Sequence, residues 1–252
     1  MQKKFYLVNK KEGETPLESL EVFRIKNKIP LDVPMTYAGR LDPLASGLLM
    51  ILSGEECKNK EKYLNLDKEY EFSVLFGFKT DTYDILGKVL ETESKPLSGE
   101  DLEKLIKKNL KYFKGQIIQK YPMYSSKTVA GKPLFIYARE NTEVEIPERE
   151  VNVKNLKYLN LKKVSLKKLL KDIEIRINKV KGDFRQKEIL KIWGKVLSDE
   201  KMPKHFFVAS FKIKATSGTY VRTIANDLGR KIGLPALAYT IKRTKIGKFE
   251  IS

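Results

Sequence analysis

The clearest alternation in the chain runs from Tyr70 to Phe78. Tyr70, Phe72, Val74, Phe76 and Phe78 fall on one side, with Glu71, Ser73, Leu75 and Gly77 on the other. Period-two alternation predicts a strand with one face against a core. Leu48-Leu49-Met50-Ile51-Leu52 is instead continuously apolar and is bounded by Gly47 and Gly54. That run predicts a strand buried on both faces. Strand patterning also marks 5–8, 88–90, 115–121, 151–159, 206–215 and 246–251, and 238–243 leads into the last of these. The stretches 31–47, with its glycines and prolines, and 79–87, with its polar residues, read as loops.

Helical spacing separates these strands. Thr15, Pro16 and Glu18 form a helix start with a capping box, and Leu17, Leu20 and Phe23 supply an apolar stripe that must end before Pro30. Residues 55–66 look helical. Ser98 opens a Lys-rich helix to about Lys111, with Leu102, Leu105, Ile106 and Leu110 on one face. A short helix is expected over 134–140. Thr219 is a candidate cap for a helix lined by Val221, Ile224, Ala225, Leu228 and Ile232 and stopped by Gly233. Between 162 and 204 the character changes. Ser165 opens one helix carrying Leu169, Ile173 and Ile177, and 185–197 forms a second around Ile189 and Trp193. This segment reads as a Lys-rich helical insertion in one domain spanning 1–252. Strands and helices without regular alternation predict an α+β fold with a largely antiparallel sheet.

Charge narrows the partners. The 252 residues include 50 Lys and Arg against 32 Asp and Glu, a net +18. Such a surplus suits phosphates, so nucleic acid leads. An anionic membrane surface or a generally Lys-rich proteome accounts for the same charge. One cysteine, Cys57, and one histidine, His205, leave no material for a disulfide framework, a Cys/His zinc site or a nucleophilic triad. No apolar run is long enough to span a membrane, and the N-terminal apolar stretch is too short for a signal peptide. A reduced, cytoplasmic setting and a monomer are expected. No P-loop or dinucleotide fingerprint is present, and neither a metal nor a cofactor is signalled.

Candidate chemistry gathers around 38–47. Asp42 precedes Pro43 in a Gly- and Pro-punctuated loop that also carries Arg40 and leads into the apolar run. Asp-Pro is a common turn pair, so Asp42 is either a turn residue or a reactive carboxylate seated against a buried strand. Tyr70, two residues after Lys68, is either a core aromatic or a platform for a stacked base. Arg222 lies in the first turn of its helix, where the helix dipole does not favour a cation. It is either solvated or paired with a buried anion such as Asp42.

Four stretches, in order, resemble the TruB family of tRNA pseudouridine synthases. The first is Ala38-Gly39-Arg40-Leu41-Asp42-Pro43-Leu44-Ala45-Ser46-Gly47. The second is Asp67-Lys68-Glu69-Tyr70 with Lys79-Thr80-Asp81-Thr82-Tyr83-Asp84-Ile85-Leu86-Gly87. The third runs from Tyr121-Pro122-Met123-Tyr124-Ser125-Ser126-Lys127 to Ala138-Arg139-Glu140. The fourth is Gly218-Thr219-Tyr220-Val221-Arg222-Thr223 through Gly229, with Lys242-Arg243-Thr244. The resemblance implies a catalytic domain with a bent, mainly antiparallel sheet flanked by helices. It implies an isomerase that flips uridine 55 of the tRNA T arm out of its stack, without a cofactor. Asp42 would then be the catalytic aspartate, Tyr70 the residue against the target base, and Arg222 the partner of the aspartate. Tyr37, Arg40, Lys68 and Ile241 would contact substrate. Tyr37 and Arg40 stand where the family commonly has His and Thr. Gly39-Arg40-Leu41-Asp42 also resembles the catalytic loop of ribosomal RNA pseudouridine synthases. Action on ribosomal or other RNA is therefore the alternative, beside a non-catalytic RNA-binding module. A C-terminal RNA-binding domain, found in many relatives, is not evident in the sequence.

Overall fold

The computed structural model of the protein describes residues 5–95 and 97–250. Its thirteen strands are β1 (Phe5–Lys10), β2 (Met35–Ala38), β3 (Ala45–Ser53), β4 (Lys68–Phe76), β5 (Phe78–Thr80), β6 (Val89–Thr92), β7 (Gly115–Lys120), β8 (Thr128–Val129), β9 (Lys132–Pro133), β10 (Glu148–Ser165), β11 (His205–Ala215), β12 (Ala236–Ile246) and β13 (Phe249–Glu250). The helices are α1 (Pro16–Lys26), α2 (Lys60–Leu64), α3 (Gly99–Asn109), α4 (Leu134–Glu140), α5 (Leu166–Asn178), α6 (Gln186–Leu197) and α7 (Val221–Ile232). The main sheet has the order β1-β3-β12-β4-β11-β10-β7, with β2 beside β3 and β13 beside β12. Its pairings are antiparallel except where Ala45–Gly47 of β3 runs parallel to Ile241–Arg243 of β12. The fold is α+β, as its sequence predicts. No helix among the described residues is long and apolar enough to cross a membrane.

Strand parity divides the sheet between two cores. Phe72, Val74 and Phe76 of β4, with Phe211 and Ile213 of β11, face α3 and α7 through Leu102, Ile106, Ile224 and Leu228. Leu75, Val208 and Leu237 point the other way, onto Ile173, Ile177, Ile189 and Trp193 of α5 and α6. Trp193 is fully buried and its indole N–H donates to the Ile85 carbonyl at 3.1 Å. The two helices expected within 162–204 are thus the outer layer over one sheet face, and β10 runs on to Ser165 before α5 begins. A third cluster lies under β3, where Leu48, Met50 and Leu52 meet Ala38 and Ile246.

Several expectations need correction. Phe78 leaves the face of its alternation partners: Gly77, at φ +102°, resets the strand, and Phe78 packs on Trp193 in the second core. The stretch 31–47 is not all loop, because β2 pairs with β3 from Met35↔Ser53 to Ala38↔Met50. That pairing partner lies beyond a hairpin loop and leaves no local signature. The polar stretch 79–87 is not a solvated loop; Thr80, Thr82, Asp84 and Ile85 are buried. Leu17 is exposed, so the stripe of α1 is only partly a core face, although its capping box forms. The stretch 55–66 divides into a 3₁₀ turn and the short α2. Thr219 does not cap α7; its hydroxyl donates to Thr216 O. The cap position is Tyr220, whose N–H donates to Gln119 Oε1 at 3.1 Å. The last predicted strand is split between the end of β12 and β13, and Ile251 lies outside the described residues.

Candidate active site

The loop carrying Asp42 joins β2 to β3 and is clamped from behind by two buried cations. Arg243, 1% exposed, donates from Nε to Leu48 O at 2.7 Å, from Nη1 to Arg40 O at 3.3 Å and from Nη2 to Gly39 O at 3.1 Å. Lys10, fully buried at the end of β1, donates from Nζ to Pro43 O at 3.2 Å and Ala45 O at 2.6 Å. Gly13 N adds a bond to Pro43 O at 2.9 Å. Cations out of water are tolerated only where such partners surround them. Burial still brings Lys10 down to about 8, and burial also lowers Arg243.

Asp42 turns towards α7. Arg222 Nε is 2.7 Å from Asp42 Oδ2 and Arg222 Nη2 is 2.9 Å from Oδ1, a bidentate fork. The Arg222 side chain is 3% exposed and that of Asp42 is 36% exposed, so the arginine forms the floor and the carboxylate keeps an open edge. Two further guanidinium N–H groups are engaged, Nη1 with Thr82 O at 2.6 Å and Nη2 with Tyr124 O at 3.2 Å. A second carboxylate, Asp84, lies 3.8 Å from Arg222 Nε. Asp84 accepts from Thr82 Oγ1 at 2.7 Å and from Leu86 N–H at 2.9 Å. Burial, outweighing the Arg222 charge, pushes its carboxyl up.

All seven residues singled out in the sequence, Tyr37, Arg40, Asp42, Lys68, Tyr70, Arg222 and Ile241, line one cleft of about 860 Å³. Tyr70 and Ile241 come from β4 and β12, whose central pairing sets Tyr70 opposite Arg243. Arg40 donates to Ser126 Oγ at 2.6 Å across the mouth, and Tyr37 lies on β2 with Lys60 Nζ 5.6 Å from its ring centroid. Lys68 is 5% exposed and its ammonium is turned to the carbonyls of Leu64 and Leu66. Burial, followed by Arg243, lowers it to about 8.

Reasoning from the sequence did not single out Lys10, Thr82, Asp84, Tyr124 or Arg243 as builders of the site. Four of them stand within or beside the stretches quoted above. Only Lys10, in what reads as a strand end, carried no signal. Among the described residues no three His, Cys, Asp or Glu side chains cluster as a metal site would require. The open carboxylate, the buried guanidinium and the aromatic and aliphatic walls can hold a planar ring and stabilise positive charge developing beside it.

Comparisons with known proteins bear on this cleft. A family described as "TruB family pseudouridylate synthase (N terminal domain)" matches residues 34–185. The chain is 32% identical over 235 residues to tRNA pseudouridine synthase B of Clostridium tetani, covering 93% of this chain and 65% of that protein. It is 33% identical over 246 residues to tRNA pseudouridine synthase B of Endomicrobium trichonymphae, covering 97% of this chain and 85% of that protein. The chain therefore spans about two thirds of the length of the Clostridium tetani relative. Among solved structures, a chain of a Cbf5-Nop10-Gar1 complex aligns with a TM-score of 0.57 at 16% identity. That alignment covers 98% of this chain and 50% of the other, a likeness of fold.

Proposed function

Since the chain belongs to the TruB family of pseudouridylate synthases, we propose that it isomerises uridine to pseudouridine in tRNA, at uridine 55 of the T arm. The observation that carries the proposal is the bidentate Asp42–Arg222 pair at the floor of a cleft walled by Tyr70 and Ile241.

Pseudouridine and uridine are isomers, so the reaction consumes no co-substrate. The bond from ribose C1′ to N1 breaks, the uracil turns, C5 bonds to C1′, and the C5 proton is lost while N1 gains one. Asp42 serves this exchange either as the nucleophile on the sugar or as base and electrostatic partner of a sugar-derived intermediate. Both roles need an oriented carboxylate with one open edge. Tyr70 packs on the uracil and Ile241 closes the pocket beside it. A base in a folded arm cannot reach this floor while stacked, so it is extruded into the cleft. Arg40, and Tyr37 in place of the family's usual histidine, stand at the mouth, where Tyr37 stacks against the displaced neighbours. The protein acts as a monomer, with its work in the cytoplasm where tRNA is found. The chain acts as one catalytic domain. The exposed lysines of α5 and α6 grip RNA phosphates away from the cleft floor.

The test uses unmodified tRNA and ribosomal RNA, each with wild type and Asp42→Asn, and maps pseudouridine by chemical adduct and primer extension. Product at the T-arm uridine from wild type alone is expected. Product only in ribosomal RNA would redirect the substrate, and product from Asp42→Asn would remove Asp42 from its role. Binding without product would make the chain an RNA-binding module.

A further inference from the structure

The turn between α5 and α6 reaches the active cleft, although both helices pack on the far core. Asp183, Phe184 and Arg185 line the cleft wall. Arg185 has φ 63°, a left-handed conformation uncommon for a side chain of its size. It is held there by neighbours. Its N–H donates to Asp183 Oδ1 at 3.2 Å, and Arg139 Nη2 donates to Asp183 O at 2.6 Å.

The Arg185 guanidinium then makes two contacts that matter for the floor. Its Nη1 lies 2.8 Å from Asp81 Oδ2, in a pair whose side chains are only 16% and 18% exposed. Its central carbon lies 4.1 Å from the centroid of the Tyr124 ring, a cation stacked on an aromatic face. Asp81 precedes Thr82. The carbonyls of Thr82 and Tyr124 are the two backbone acceptors that aim Arg222 at Asp42. Gly87 closes the same loop so tightly that an added Cβ would sit 2.6 Å from Asp81 Oδ1. One side chain from the outer helical layer therefore joins the two segments that orient the catalytic guanidinium.

We propose that Arg185 is a positioning residue: by tying Asp81 to the Tyr124 ring it fixes the two carbonyls that hold Arg222 against Asp42. What the site then does rests on the function proposed above; the positioning itself does not. Lysine keeps the charge but not the planar stack, so the two are not equivalent here. A residue acting in this way alters the chemical step more than RNA binding.

The experiment compares wild type, Arg185→Ala and Arg185→Lys in two readouts. The first, without RNA, is the hydrogen-exchange rate of the Arg222 Nε–H seen by nitrogen–proton NMR, assigned with Arg222→Lys, with the Trp193 indole N–H as control. Exchange at Arg222 is expected to quicken at least tenfold in Arg185→Ala, with Trp193 unchanged, and to be intermediate in Arg185→Lys. The second is turnover on tRNA. It should show kcat down about tenfold in Arg185→Ala, KM within twofold, and partial rescue by lysine. Unchanged exchange at Arg222 would overturn the proposal. So would equal loss of protection at Trp193, which would make Arg185 a packing residue, or a rise in KM with kcat intact, which would make it an RNA contact. If wild type forms no pseudouridine, the proposed function fails while the exchange experiment still decides the role of Arg185.

Discussion

A guanidinium is planar and presents its donors in a fixed fork, so it can define the orientation of a carboxylate in a way an ammonium cannot. Arg222 uses all three of its nitrogens, in four hydrogen bonds to Asp42, Thr82 and Tyr124. Arg222→Lys retains a positive charge but can satisfy only part of this set. Its kcat on tRNA should fall about a hundredfold or more, or about 3 kcal/mol of transition-state stabilisation. An activity within threefold of wild type would sink the idea that orientation matters. Lys10 gives a residue-scale pH dependence. Its folded value is about 8, set mainly by burial, against about 10.4 in an unfolded chain. Below about 8 both states hold the proton and the burial penalty is fully present. Between about 8 and 10 the unfolded state holds more protons, so this group makes stability rise with pH. The denaturant midpoint should climb from pH 8 to 9.5, and less steeply in Lys10→Met; equal slopes would remove Lys10 as a source. Asp42 was legible as a candidate because Gly and Pro bracket it. Lys10 was not, because a lysine ending a strand is ordinarily solvated.

At the scale of elements, the site depends on one short parallel contact. β3 is shared between two neighbours along one edge, β12 at Ala45–Gly47 and β2 further on. The Asp42 loop leaves the sheet where that edge changes hands. Gly47 makes the close approach possible. It has φ +101°, and an added Cβ would lie 2.2 Å from the backbone oxygen of Arg243. The clash is with backbone, so it cannot be relieved by turning a side chain. Gly47→Ala should cost about 3 kcal/mol and lower Tm by roughly 6–12 °C. Calorimetry checks it, and a loss of less than about 1 kcal/mol would mean that the β3–β12 junction yields easily. The apolar run after Gly47 announced β3 from the sequence. The pairing that makes Gly47 obligatory joins residues nearly two hundred positions apart and has no local trace.

For the whole molecule the helical layer and the charge belong together. The segment 162–204 carries 14 Lys and Arg against 6 Asp and Glu, a net +8 within the chain's +18. Its apolar faces cover Leu75, Phe78, Phe206 and Leu237, while lysines such as Lys167, Lys171, Lys187 and Lys191 stay exposed. Deleting the segment would uncover that core, so neutralising the surface is the cleaner test. Replacing these four lysines by glutamine should weaken tRNA binding and reduce the slope of log Kd against log salt by about 1–3, with kcat retained. An unchanged slope would mean that these lysines are solvated and touch no phosphate.

The sequence by itself determined most of the elements and the identity of the candidate carboxylate, aromatic and arginine. Those features rest on periodicity, on capping and turn chemistry, and on motifs that are each contiguous. That the sheet carries a core on each face came from the structure. Tertiary structure alone decided which groups meet: Lys10 and Arg243 behind one loop, Thr82 and Tyr124 around Arg222, and Arg185 between Asp81 and Tyr124. Those contacts are made by backbone carbonyls and long cationic side chains. A carbonyl is present at every residue and a lysine or arginine reads as surface. Only packing shows which of them have been drawn out of water to hold Asp42 in place.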